Sequence, residues 1–140
     1  MSLENEEITR EGFEALQAAM NARDFDTVAE LVGPDVEFNS VVAAADGAGS
    51  YRGIDGLRKW AEDVDAVWED WHQEVVDFRV VSKDRAVAIT RATGRARASG
   101  VPLDARTGNV LTRTPDGRSQ LRAYSDPHEA FEAVGLRDVQ

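Results

Sequence analysis

Ile8, Phe13, Leu16 and Met20 recur near helical spacing within residues 4–22, with Glu6, Glu7, Arg10, Glu11 and Glu14 among the other positions. An apolar stripe flanked by charges predicts an amphipathic first helix. Asp24 and Asp26 then offer carboxylates that cap a short second helix carrying Val28, Leu31 and Val32, and Gly33-Pro34 ends it. Residues 36–40 alternate as a short strand, and residues 43–50 form a Gly/Ala-rich stretch without a pattern, read as a loop. From 55 to 71 the apolar positions are Leu57, Trp60, Ala61, Val64, Val67, Trp68 and Trp71, opposite Lys59, Glu62, Asp63, Glu69 and Asp70. That stripe predicts the strongest helix of the chain.

The period then changes from about 3.6 to 2, the spacing of strands. Strands are predicted over 73–81, 85–99, 103–114 and 118–124, separated by turn signals at Lys83-Asp84, Gly100-Val101-Pro102 and Pro115-Asp116-Gly117. Consecutive strands joined by short turns predict an antiparallel meander. A last short helix follows from Asp126 to Gly135, where Asp126-Pro127-His128-Glu129 combines an N-cap, a first-position proline and an acidic first turn. Helices followed by a run of strands give the α+β class. With no linker or internal repeat in view, residues 1–140 read as one domain.

Composition narrows the chemistry. The chain has no cysteine, which removes disulfides, thiolate metal ligands and a cysteine nucleophile. Its formal charge of −10 repels phosphate backbones and anionic head groups, so no nucleic acid partner is expected. No apolar run approaches the ~20 residues of a membrane span, and Glu4, Glu6 and Glu7 are unlike a signal peptide. A cytoplasmic protein with no membrane partner is the expectation. His-Glu-x-x-His and clustered carboxylates are missing, as are a dinucleotide-binding glycine fingerprint and a Gly-x-Ser-x-Gly elbow, so no metal and no cofactor are expected.

Three ordered motifs carry a family resemblance: Tyr51-Arg52-Gly53-Ile54-Asp55-Gly56-Leu57-Arg58, then Ser99-Gly100-Val101-Pro102, then Asp116-Gly117-Arg118 through Leu121-Arg122-Ala123-Tyr124-Ser125-Asp126 with Glu129-Ala130-Phe131. In order and spacing the chain resembles SnoaL-like proteins of the nuclear transport factor 2-like superfamily. The resemblance implies a curved, mostly antiparallel sheet wrapped around the N-terminal helices, a cone with an internal pocket, and homodimerisation through the sheet. Ketosteroid isomerases, polyketide cyclases and epoxide hydrolases share that fold, so the fold itself does not select a reaction.

Mapped onto this sequence, the isomerase-like base position falls on Asn39, the acid partner on Asn109 and the oxyanion tyrosine on Leu16. An amide has no useful basicity near neutral pH, which argues against proton abstraction by Asn39; Asn109 keeps the ability to donate a hydrogen bond. The arginine flanked by two carboxylates of limonene-type epoxide hydrolases is not present. Asp104, a carboxylate clear of the turns, is either a cyclase-like base inside the cavity or an exposed strand-start residue. Arg91, Arg95 and Arg97 share a face with Val87 and Ile89, opposite the small residues Ala86, Ala88, Ala92, Gly94 and Ala96. Arg91 either reaches into the cone to hold an anionic or enolate group, or forms a cross-strand ion pair on the exposed sheet. His72 and His128 read as capping or solvent-facing residues.

The expected pocket wall is Phe13, Leu16, Tyr51, Trp60, Val64 and Tyr124, with Asn39, Asn109 and Arg91 as the polar, candidate catalytic groups. The function that follows is binding of a hydrophobic small-molecule ligand, polycyclic or polyketide-like, with turnover left open. A noncatalytic dimerisation or partner-binding domain is the alternative.

Overall fold

The computed structural model describes residues 8–40, 49–116 and 118–135. Its elements run α1 (Arg10–Asn21), α2 (Phe25–Val32), β1 (Glu37–Ser40), β2 (Gly49–Arg52), α3 (Gly53–Val67), β3 (Trp68–Ser82), β4 (Arg85–Ala96), β5 (Pro102–Arg113), β6 (Ser119–Tyr124) and α4 (Pro127–Ala133). Thr9 caps α1 by accepting from the Gly12 amide, Asp24 caps α2 at the Thr27 amide, and Asp126 caps α4 at the His128 amide. Each cap satisfies an amide that the first helical turn leaves unpaired. The predicted first helix is found from Arg10, and residues 1–7 of that prediction lie outside the described residues.

One six-stranded sheet has the order β2-β1-β6-β5-β4-β3, antiparallel throughout except where β1 runs parallel to β6. Its α+β character and curved sheet match the expected fold class. Three register shifts fall in β3, at Glu69/His72, Val75/Asp77 and Val80/Ser82. Bulges of this kind bend and twist a strand, and here they fall in the edge strand of the sheet.

Three sequence expectations are corrected. The helix predicted over 55–71 starts at Gly53 and stops at Val67, so Trp68 and Trp71 belong to β3. Asp70 sits at φ 53° inside the first bulge, and the extra residue there lets positions three apart face the same side. A bulged strand thereby imitates a helical stripe. Secondly, Gly49–Arg52 is a strand paired with β1 rather than part of a loop, while residues 41–48 lie outside the described residues. Finally, β4 ends at Ala96 instead of 99, because the Ala96 amide donates to the Val101 carbonyl and the Gly100 amide, at φ 74°, donates to the Ala96 carbonyl. The chain turns through 97–100, where Arg97 still donates its amide to the Val67 carbonyl.

Strand alternation separates two cores. Ala86 and Ala88 of β4, Leu111 of β5, Leu121 of β6 and Phe38 of β1 pack on the inner face against Phe13, Leu16 and Met20 of α1 and Leu57, Trp60 and Val64 of α3. The small residues of β4 therefore face inward, where they leave room for the larger helical side chains. On the outer face Val87, Ile89 and Val110 pack under Ala130 and Phe131 of α4. Gly108 makes that approach possible: a Cβ added there lies 2.3 Å from the Ala130 Cβ.

Candidate functional site

Polar residues interrupt the inner face at one level of the sheet. Thr90 of β4 is opposite Thr107 of β5, and Asn109 lies two residues further along β5, all three buried. Asn109 Nδ2 donates to Thr90 Oγ1 at 3.0 Å, and the Thr90 and Thr107 hydroxyl oxygens lie 2.8 Å apart. From β3, Gln73 Nε2 donates to Thr90 Oγ1 at 3.1 Å and reaches Thr107 Oγ1 at 3.5 Å. Burying hydroxyls and amides without partners is unfavourable, so these four side chains stabilise one another as a network. None of the four is ionisable near neutral pH.

Gln73 also forms part of the wall of a groove of about 270 Å³ between α1 and the edge strand β3. α1 supplies Glu14, Gln17 and Asn21 to it, and β3 supplies His72, Glu74 and Val75. The Asn21 side chain locks the two elements together: its Nδ2 donates to the Gln73 carbonyl at 2.8 Å and its Oδ1 accepts from the Gln73 amide at 3.1 Å. A side-chain amide thus pairs with the outward backbone of the edge strand as a neighbouring strand would. Gln17 is only 4% exposed, and its Oε1 is buried with no hydrogen-bond partner among the described residues. Deeper in the cone, two apolar voids of about 10 Å³ each border Leu16, one beside Phe38 and Leu57, the other beside Phe13 and Leu111.

The structure divides the predicted site residues. Asn109 faces the interior. Phe13, Leu16, Trp60 and Val64 are core residues at 2% exposure or less. Trp60 packs edge-on against Trp71 at 5.4 Å between ring centroids. Tyr51 is buried and its hydroxyl donates to Asp63 Oδ2 at 2.6 Å, which ties β2 to α3. That hydrogen bond, followed by the one from Lys59, holds the Asp63 carboxyl below its ordinary range.

Three predicted residues do not reach the interior. Asn39 alternates with the inward Phe38 and pairs with Ser50 and Arg122, so it stands on the opposite side of β1. Tyr124 packs with the outer cluster under α4. Arg91 is exposed and grips Asp104 in a fork, Nε to Oδ1 and Nη2 to Oδ2, each at 2.8 Å. The same pairing keeps the Asp104 carboxyl below its usual range and raises Arg91, so both residues follow the exposed ion-pair reading. His72 is exposed at the groove rim, and the His128 amide is part of the α4 cap.

Sequence reasoning missed Thr90, Thr107, Gln73, Gln17 and Asn21. A signal existed for two of them. Gln17 lies four residues after Phe13 and three before Met20, on the inward stripe of α1, and Thr90 lies between Ala88 and Ala92 on the inward face of β4.

Among the described residues no helix is long and apolar enough to cross a membrane. Comparison with curated proteins gives no match. Among solved structures, a Catenulispora acidiphila protein of ketosteroid isomerase-like fold, in complex with trimethylamine, is similar with a TM-score of 0.68 and 16% identity, over 92% of this chain and 95% of that one. TerC co-crystallised with polyporic acid is similar with a TM-score of 0.67 and 19% identity, over 89% and 95%. A Mycobacterium tuberculosis protein in complex with estradiol-17beta-hemisuccinate gives 0.60 and 15%, over 82% and 91%. At these identities the likeness establishes the shared fold. The SnoaL-like domain family matches residues 13–121, most of the chain and every element from α2 to β5, and the chain belongs to that family.

Proposed function

We propose that this SnoaL-like protein binds a small amphipathic organic molecule in the α1–β3 groove, its apolar body on Ala18 and Val75 and its polar end toward Gln73 and the hydroxyl–amide network behind it. The observation that carries this reading is the network of Gln73, Thr90, Thr107 and Asn109, a set of neutral hydrogen-bonding groups set into an otherwise apolar inner face at the end of a groove. A few placed polar groups in a concave site are what orient a ligand. The same network supports binding over proton-transfer catalysis, because no member acts as a base near neutral pH. Polyporic acid and estradiol-17beta-hemisuccinate, present in two structures of this fold, are likewise organic molecules with polar ends.

Titration calorimetry with a panel of small amphipathic alcohols, ketones, quinones and amines tests the proposal. A folded wild-type protein is expected to bind at least one of them, and Gln73→Leu to weaken that ligand up to about tenfold, as loss of one hydrogen bond does. No binding by any panel member, or an affinity unmoved by Gln73→Leu, would refute it. The alternative of an association domain is separated by sedimentation measurements of the free protein: the apolar part of the outer sheet is already covered by α4, so a homodimer has to use the charged remainder around Arg91, Asp104 and Glu74.

A further inference from the structure

The two ends of α2 are tied to the fold unequally. At its start Arg23, at φ 59°, donates from Nη1 to the Met20 carbonyl at 2.8 Å and from Nη2 to Asp65 Oδ1 at 2.7 Å. Its guanidinium carbon also lies 5.4 Å and 5.9 Å from the Trp60 and Trp71 ring centroids. At its end Gly33 stands at φ 92° and ψ 156°, a conformation open essentially to glycine alone. The exposed Pro34 and Asp35 then lead to Val36, whose carbonyl accepts from the Gly53 amide at 2.8 Å and fixes the chain again. Between these ends the polar contacts of α2 stay local, Thr27 bonding its own cap Asp24. Among the described residues none of its side chains forms a hydrogen bond or ion pair with another element beyond that cap. Val28 and Val32, both buried, and the half-buried Phe25 and Leu31 hold the helix down by apolar packing.

That packing is incomplete. Both voids of about 10 Å³ lie against α2: Val28 and Val32 border one, Leu31 and Val32 the other, and Leu16 of α1 borders both. Atoms beside a void forgo the dispersion contacts that a filled interior provides. The side chains around the voids are aliphatic or aromatic except Thr9, which is engaged in capping α1. None of these residues belongs to the α1–β3 groove, to which α1 turns Glu14, Ala18 and Asn21 instead. A short helix with a fixed joint at one end, a glycine joint at the other and gaps beneath it has the features of a segment that opens ahead of the rest of a fold.

We propose that α2 is a hinged flap, which turns on the Arg23–Asp24 joint, swings away through Gly33 and in opening admits an uncharged apolar molecule to the surface it covers. The docked helix leaves too little room for such a molecule, so the bound form is the open one. Apparent affinity therefore scales with the fraction of molecules in which α2 is open. Gly33→Ala raises that fraction: the added Cβ meets nothing within 4 Å, and the sole cost is a backbone conformation that opening relieves.

Amide-resolved hydrogen exchange on the full chain, paired with titration of the neutral fluorophore N-phenyl-1-naphthylamine, tests the flap. In the wild type the amides of residues 28–33 are expected to be at least tenfold less protected than those of β4 and β5, with little dependence on urea. Gly33→Ala should lower their protection about tenfold and tighten the fluorophore about tenfold, whereas a glycine with a structural role only would leave binding unchanged or weaken it. Val32→Ile places one more methyl beside the voids and is expected to raise the protection and weaken the fluorophore about threefold. If the methyl does not fit, protection falls and binding tightens, so in either variant the two readouts move in opposite directions. Gln73→Leu, which acts on the groove, should leave the fluorophore unaffected. Protection at residues 28–33 equal to that of β4 and β5 overturns the flap. Fluorophore affinity that does not follow α2 protection across the variants, or no binding to folded Gly33→Ala, overturns the entry of an apolar molecule beneath it.

Discussion

Thr90→Val removes one oxygen atom from the centre of the inner network and changes little else in size. Three hydrogen bonds meet at Thr90 Oγ1: from Asn109 Nδ2 at 3.0 Å, from Gln73 Nε2 at 3.1 Å and with the Thr107 hydroxyl at 2.8 Å. Each contributes about 1 kcal/mol net, so their loss amounts to roughly 3 kcal/mol. The methyl that replaces the hydroxyl, buried at a site with 0% exposure, offsets roughly 0.8 kcal/mol of this. Gln73 and Thr107, already 3.5 Å apart, draw together and recover part of the rest. The expected destabilisation is therefore about 2 kcal/mol. Urea unfolding measures it: with an unchanged slope, the midpoint falls by roughly 1 M. Thr107→Val, which removes fewer contacts, should cost about half as much. In the double variant the two effects should fall short of additive by about 1 kcal/mol, since both remove the same 2.8 Å contact. A Thr90→Val midpoint within about 0.2 M of wild type, or strict additivity in the cycle, would refute the idea that these hydroxyls and amides hold one another in a dry interior.

Installing the isomerase-like trio by Asn39→Asp, Asn109→Asp and Leu16→Tyr should give no isomerisation of a β,γ-unsaturated ketosteroid, because Asn39 alternates with the inward Phe38; a rate above background in a folded variant would mean that β1 presents position 39 to the interior. Gly108→Ala drives a methyl toward the Ala130 Cβ, 2.3 Å from its ideal position, and overpacking of this kind costs about 1–3 kcal/mol, read as earlier thermal loss of α4 packing; an unchanged melting temperature would place α4 further from the sheet. Asp63→Asn tests the Tyr51 hydrogen bond through pH. The folded carboxyl sits below its unfolded value, so its stabilisation is fully present above the unfolded value and is lost as pH falls through the folded one. The melting-temperature gap between wild type and variant should therefore be open at pH 7 and close in acid, and a gap independent of pH would contradict the assignment.

Much of the fold is visible in the sequence because burial and period coincide. The apolar stripe of α1, the Asp24 and Asp126 caps and the alternation of β4 through β6 each respond to one dominant local rule, and the structure follows them within a few residues. The errors occur where two rules give the same pattern. Val64, Val67, Trp68 and Trp71 satisfy a helical spacing, yet the last two lie on a strand whose bulge adds the residue that makes the spacing look helical. β2 escaped notice because Gly49-Ser50 has no hydrophobic signal, and its pairing is fixed from outside by β1.

The site was less legible for a different reason. Charged residues draw attention in a sequence, but Arg91 and Asp104 satisfy each other on the outer face, and a partner thirteen residues away on the next strand is invisible until the register is known. The groups that distinguish the interior are amides and hydroxyls, which have no charge to reveal them and lie at positions where a stripe or an alternation calls for an apolar side chain. Gln17 breaks the inward face of α1 and Thr90 the inward face of β4, and helix and strand nonetheless form, since one polar residue costs a regular element little. The stability lost at such a position has to be regained from a partner. Thr90 has its partners within the chain, whereas the Gln17 carbonyl has none among the described residues. Two interruptions of the same kind thus differ: the first is satisfied within the architecture of the cone, and the second is held in place by the packing of α1 around it rather than by a hydrogen bond to its carbonyl.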